Sequence, residues 1–249
     1  MKLLDWTAVG PAENLAIDEA LLEHAETQND HPEVLRLWHP SNTAVILGRS
    51  SPVEAEVNQP FCHENGIPIL RRCSGGQTVM TGPGCLMYAV ILDYRKRPEL
   101  RMLEQAHQFV MSRMQQAIGR IGIETEMQGT SDLTRSGLKF SGNALRCKRN
   151  WLVYHGTMLC RFDVELIEQA LGKPIREPDY RDGRSHRNFL TQLDVEPEKL
   201  ANAIKETWRA IEPLDPWPKA LAKKLTIEKY QTDAWNFKVT RKNGRRSIR

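Results

Sequence analysis

The run Leu86-Met87-Tyr88-Ala89-Val90-Ile91-Leu92-Asp93 constrains the fold more than any other stretch of the chain. A strand with one wet face alternates apolar and polar residues, whereas a strand covered on both faces loses the alternation. This run is therefore expected to be a central strand of a sheet. Other β-rich runs surround it: Val34 to Trp38, Thr43 to Gly48, Ile67 to Arg72, Asp132-Leu133, Leu138 to Gly142 and Leu152 to Leu159. They come in adjacent pairs separated by turn clusters such as Pro40-Ser41-Asn42. Helical patterns are expected at Asn14 to His24 with Asn14 as cap, Pro52 to Gly66, Leu103 to Ile118, Val164 to Leu171 and Pro197 to Ile211. Gly172 to His186, polar and rich in Arg, Asp and Pro, reads as a loop, and Pro213 to Pro218 ends the last helix. Paired strands alternating irregularly with helices favour a mixed α+β sheet over a doubly wound parallel one.

A length of 249 residues suits one large domain or a domain with a small appendage. No apolar run approaches the ~20 residues of a membrane helix, and Met1-Lys2-Leu3-Leu4-Asp5-Trp6 is not a signal peptide, so a cytoplasmic location is the default expectation. The five cysteines have no regular spacing and form no Cys-x-x-Cys pair, against both a disulfide framework and a zinc site. The net charge is +4, and the tail 238–249 has six Lys/Arg and no acid. That tail suits an acidic or nucleic-acid surface and equally a frayed, solvated terminus.

Four short stretches contain residue types able to carry chemistry. In Arg71-Arg72-Cys73-Ser74-Gly75-Gly76-Gln77-Thr78-Val79, consecutive glycines let N–H groups converge on an anion, and the arginines add forked donors. The alternative is a hairpin turn. The pattern is neither a Walker loop nor G-x-G-x-x-G. In Leu138-Lys139-Phe140-Ser141-Gly142-Asn143-Ala144, strand geometry sends Lys139 and Ser141 to one face and Phe140 to the other. Lys139 then neutralises charge on a phosphate or acyl oxygen, or is simply solvated. Asp132 is either a single-carboxylate magnesium ligand or a turn former. His155-Gly156 ends an apolar run, as a pocket group or as a core histidine.

Taken together, these stretches resemble the catalytic domain shared by lipoate–protein ligases, octanoyltransferases and biotin ligases. The matched segments, in order, are Asn14-Leu15-Ala16-Ile17-Asp18-Glu19-Ala20, Ala44 to Arg49, Arg71 to Gly76, Ser131-Asp132-Leu133, Lys139 to Ala144, His155 to Leu159 and Trp235-Asn236-Phe237. The lipoate-ligase branch fits best. The resemblance implies a mixed, largely antiparallel sheet flanked by helices, a catalytic domain over 1–237, a basic tail over 238–249 and no accessory C-terminal domain.

It also implies a two-step reaction. ATP, with Mg2+, activates lipoate or octanoate as an acyl-adenylate, and the acyl group passes to a lysine of a lipoyl acceptor domain. That domain belongs to a dehydrogenase complex or to the glycine-cleavage carrier protein, and neither nucleic acid nor membrane is an expected partner. Lys139 is implied to contact the carboxylate and the α-phosphate, Arg72 and Gln77-Thr78-Val79-Met80 the nucleotide, and Asp132 to lie near magnesium. Arg71, Ser74, Gly75, Gly76, Ser141, Gly142, His155 and Gly156 are expected to bind the acyl substrate.

Two departures stand out. Family ligases carry a third glycine and a following histidine where this chain has Gln77 and Thr81. Many also continue into an accessory domain past the Trp-Asn-Phe segment, so a separate accessory subunit is among the expected partners. The transferase branch uses a cysteine nucleophile, but its usual places hold Leu152 or fall near Gly129 to Ser131, where no Cys occurs. Cys147, in the basic turn Arg146-Cys147-Lys148-Arg149, remains a candidate nucleophile, whereas Cys73 in the glycine turn is expected to point into the core. A binding module without turnover is the third reading.

Overall fold

A computed structural model describes residues 1–28 and 30–238; of the basic tail, residues 239–249 lie outside the described residues. The strands are β1 (Lys2–Asp5), β2 (Val34–Trp38), β3 (Ala44–Leu47), β4 (Ile69–Arg71), β5 (Val79–Thr81), β6 (Cys85–Asp93), β7 (Glu126–Gln128), β8 (Asp132–Arg135), β9 (Leu138–Cys147) and β10 (Trp151–Leu159). The helices are α1 (Pro11–Thr27), α2 (Val53–Glu56), α3 (Gln59–Glu64), α4 (Leu103–Arg120), α5 (Val164–Ala170), α6 (His186–Phe189), α7 (Pro197–Trp208), α8 (Lys219–Leu225) and α9 (Asp233–Asn236).

Seven strands form the main sheet in the order β1-β2-β6-β10-β9-β8-β7, and β4-β3-β5 form a smaller one. Within the main sheet β1 and β2 run parallel and every other pairing is antiparallel. The expected mixed, largely antiparallel α+β sheet is what the chain adopts. β6 lies between β2 and β10, and all nine of its residues are buried. Its two faces feed different cores. Tyr88, Val90 and Leu92 pack with Val110 and Met114 of α4 and Ile204 of α7. Ala89 and Ile91 pack with Ile17 and Leu21 of α1. Burying side chains of this size stabilises by roughly 1.5–3 kcal/mol each, which explains the lost alternation.

Several boundaries differ from expectation, each for a local reason. Helix α1 starts at Pro11, whose missing N–H suits the first helical position. Asn14 is not its cap: its side chain is buried and bonds Ala8 N (3.1 Å) and Ala8 O (2.9 Å). The expected helix from Pro52 to Gly66 is two, because Val57 bridges to Leu171 and the Asn58 side chain accepts from Phe61 N to cap α3. After Pro218 the chain resumes as α8, continues through a wide turn at Thr226–Tyr230 and ends in α9 against β4. No helix among the described residues is long and apolar enough to cross a membrane.

Candidate functional site

A cavity of about 410 Å³ opens between the small sheet, the start of α1 and the β9–β10 end of the main sheet, and the 172–190 segment borders it. Its apolar wall includes Trp38, Ile46, Met80, Met87, Phe140 and Leu159. Around it the fold collects Arg72, Gln77, Thr78, Val79, Met80, Asp132, Lys139, Ser141, Gly142, His155 and Gly156, eleven of the residues singled out from the sequence. Thr81 lies elsewhere, fully buried with its hydroxyl 3.2 Å from Met87 Sδ, so that departure from the family pattern falls outside the cavity wall.

The arginine pair corrects an expectation. Arg71 is fully buried and does not line the cavity. Its Nη1 donates to Gly48 O (2.8 Å) and Ser51 O (2.7 Å), and its Nη2 to Asn236 O (2.9 Å). Its donors bind the chain's own carbonyls away from the cavity, so Arg71 fastens α9 to the small sheet. Arg72 reaches the cavity, yet donates to Ile46 O (3.2 Å), Gly75 O (2.6 Å) and Gln77 O (2.9 Å) and so shapes the turn from beneath. Burial pushes its guanidinium down to about 10, still cationic at neutral pH. The turn itself needs its glycines: Gly76 sits at φ +84°, and a Cβ on Gly48 would lie 1.8 Å from Gly76 O. The N–H groups of Gly75, Gly76 and Gln77 bond no other described residue. Unpaired N–H groups above a buried cation form a place for an anion. Ser74, Gly75 and Gly76 border the cavity rather than line it.

His155 joins this turn to α1. Its Nε2 lies 2.6 Å from Ser74 Oγ and its Nδ1 3.0 Å from Asp18 Oδ2. Asp18, buried on α1, is also held by Arg36, itself fully buried. Burial alone would raise the Asp18 carboxyl, but Arg36 and His155 outweigh it and hold it below its ordinary range. A carboxylate at Nδ1 keeps an imidazole proton on that nitrogen and turns Nε2 toward Ser74. Asp18 belongs to the first matched segment, but nothing in its spacing shows that it meets His155.

Lys139 lies at a β-bulge: Leu133 pairs with Ser141 but Thr134 with Lys139, leaving Phe140 as the extra residue. Phe140 turns into the core while Lys139 stays at the cavity, about a quarter exposed. Its Nζ is 2.8 Å from Asp132 Oδ1 and passes over Gly142, where a Cβ would stand 3.3 Å away. Tyr180 donates to Asp132 Oδ2 at 2.8 Å. Gly156 leaves room for a second network: Tyr88 donates to Asn143 Oδ1 (2.5 Å), while Asn143 Nδ2 donates to Ser131 O (2.6 Å). Sequence reasoning also assigned no role to Glu56, whose buried Oε2 accepts from Thr78 N (3.0 Å) and Oγ1 (2.6 Å).

The cysteines stand apart. Cys147 is exposed at the far end of β9 and does not line the cavity, so the fold does not bring this candidate nucleophile to the site. Cys73 is buried, and burial with the nearby Glu19 carboxylate pushes its thiol up to about 11, against thiolate chemistry. Among the described residues no group of three His, Cys, Asp or Glu could hold a metal. Both Asp132 oxygens already meet Lys139 and Tyr180, so a magnesium ion here would take its ligands from phosphates.

Residues 10–207 match the family model described as the lipoyl protein ligase A/B catalytic domain. The chain belongs to this family. A Schizosaccharomyces pombe member, provisionally named lipoate-protein ligase A, is 32% identical over 175 residues, 70% of this chain and 45% of its own. The chain thus spans under half of that relative's length. Lipoate–protein ligase 1 of Staphylococcus aureus is 26% identical over 91% of this chain and 70% of its own. The octanoyltransferase LipM of Carboxydothermus hydrogenoformans is 25% identical over 95% of this chain and 98% of its own. The family thus includes both ligases and transferases. Among solved structures, the bi-partite lipoate protein ligase of Thermoplasma acidophilum, described with its E2 lipoyl domain, has a TM-score of 0.82 at 23% identity over 97% of each chain. A lipoate-protein ligase A bound with ATP has a TM-score of 0.78 at 22% identity, over 95% of this chain and 98% of its own. These likenesses show the shared fold.

Proposed function

We propose that this family member activates lipoate or octanoate with ATP as an acyl-adenylate and passes the acyl group to a lysine of a lipoyl acceptor domain. The observation that carries the reading is Lys139, an ammonium fixed by Asp132 at a cavity with an apolar wall, with the unpaired N–H groups of the glycine turn at its border. Adenylation brings a carboxylate against the α-phosphate, so anions of like sign must be held together while charge leaves with pyrophosphate. A fixed ammonium and oriented N–H groups lower that barrier by being in place beforehand. Lys139 is assigned to the reacting oxygens and Gln77 to Met80, with Arg72 beneath them, to the nucleotide. The apolar wall with His155 and Gly156 receives the acyl chain, and Ser141 and Gly142 flank Lys139. Magnesium, carried by the phosphates near Asp132, would supply further charge neutralisation.

Residues 1–237 are proposed as the catalytic unit. The acceptor is proposed to be the lipoyl domain of a dehydrogenase complex or the glycine-cleavage carrier. A separate accessory subunit joins the proposal by likeness to the bi-partite archaeal ligase.

The near full-length match to LipM favours a second reading, octanoyl transfer from a carrier thioester. Against it, no cysteine lines the cavity among the described residues. Two donors separate them. Free octanoate with ATP should acylate a lipoyl domain, and octanoyl carrier protein without ATP should not. The reverse pattern establishes the transferase, and binding with neither activity establishes a non-catalytic module. Each arm is run with and without cell extract to supply a missing subunit.

A further inference from the structure

The loop between α5 and α6 is built around Lys139. Its ends are clasped where His186 Nε2 meets Gly172 O at 3.1 Å. Just past it, Leu190 bridges to Lys139, and Thr191 N donates to Lys139 O at 2.8 Å. From the loop's middle, Tyr180 reaches back to the carboxylate that holds the Lys139 ammonium. Asp132 is thereby occupied on both oxygens, Oδ1 by Lys139 and Oδ2 by Tyr180, each at 2.8 Å. Tyr180 is itself fixed: its ring packs 5.2 Å from that of buried Phe189, and Arg184 Nη2 donates to its carbonyl at 2.6 Å. It also lies against the turn at Gly129, where a Cβ would meet the ring at 3.4 Å.

A carboxylate free to rotate presents either oxygen to a flexible lysine, and the ammonium samples many positions. With one oxygen fixed by a phenol, the other points one way, and so does the lysine. From this geometry we propose that Tyr180 is a positioning residue for Lys139, acting through Asp132 to aim the ammonium over Gly142 into the cavity. It touches no reacting atom. The inference rests on the adenylation reading for its catalytic consequence, but the aim of Lys139 can also be measured without turnover.

The test compares wild type, Tyr180→Phe, Asp132→Asn and the double variant in octanoate-dependent ATP–pyrophosphate exchange. Tyr180→Phe should lower kcat by about tenfold, as expected for one hydrogen bond to a charged group. KM for ATP and octanoate should stay within about threefold, since binding contacts remain. Adding Tyr180→Phe to Asp132→Asn should cost less than about twofold more, because the tyrosine acts only through that carboxylate. In parallel, acetylation of Lys139 by a water-soluble acetylating reagent is followed by peptide mass spectrometry, with Lys148 as internal reference. Loosening the pair should raise Lys139 labelling about threefold or more in both single variants, and the double variant should match Asp132→Asn. Additive losses, or a lowered unfolding midpoint with unchanged Lys139 labelling, assign Tyr180 a merely structural role and overturn the proposal. If wild type shows no exchange with or without cell extract, the adenylation reading fails, and the labelling pattern alone decides whether Tyr180 aims Lys139.

Discussion

Arg71→Met separates a structural arginine from a substrate-binding one. The side chain is wholly buried, and its guanidinium supplies the bonds at Ser51 O (2.7 Å) and Asn236 O (2.9 Å), which accept from no other described group. Gly48 O keeps the bond from Ser51 N. Methionine fills much of the volume but leaves two buried carbonyls unpaired, at about 1–3 kcal/mol each. Removing an expensive buried cation offsets part of this. A net loss of about 3 kcal/mol remains, equivalent to roughly 6–12 °C in Tm for a chain of this size. Differential scanning calorimetry and urea unfolding measure it. KM for ATP and the fatty acid, taken well below the transition, should change by less than about threefold. A Tm within about 2 °C of wild type, together with a KM raised tenfold or more, would refute the clamp and restore Arg71 as a ligand arm.

Gly156→Ala places a Cβ 1.8 Å from Asn143 Oδ1 and 2.7 Å from the Tyr88 ring, so urea unfolding should show a loss of about 1–3 kcal/mol, partly relieved by adding Asn143→Ala. Acid should destabilise the fold in two stages. Burial holds His31, His107 and His186 below their ordinary 6.5, so the unfolded chain binds more protons and stability present above that value falls as pH drops through the folded pKa values. Asp18 and Glu19, held below 3.8 and 4.5 by cationic partners that outweigh burial, add a second loss at lower pH; urea midpoints across pH 8 to 3 follow both. Cys147→Ser should leave acylation of a lipoyl domain within about twofold of wild type, and abolition would return that cysteine to the chemistry.

Local signals were readable where they depend on neighbours in the chain. The run at β6 announced burial on both faces, and the 3.6-residue spacing of Ala106, Val110, Met114 and Ala117 announced α4, whose buried side includes all four. β1 has four residues and gains its place by pairing with Val34 to Leu37, which a sequence window cannot see. The C-terminal helices were missed because Lys219 to Leu225 shows only Ala222 buried, too weak a stripe to read. Lys139, Asp132 and His155 were found as members of ordered motifs. Their partners were not, since Tyr180 and Asp18 reach them across sequence gaps of 48 and 137 residues. Arg71 was misread for the same reason: two arginines before glycines look like anion donors until Asn236, 165 residues on, takes the fork.

The most direct test of the central claim is lipoate- or octanoate-dependent ATP–pyrophosphate exchange by wild type and Lys139→Ala. Adenylate chemistry predicts exchange that requires the fatty acid and falls at least about a hundredfold in the variant, the scale of losing a charged transition-state contact. Absence of fatty-acid-dependent exchange, with or without cell extract, would contradict adenylate chemistry, and exchange that survives in Lys139→Ala at the wild-type rate would contradict the role of Lys139.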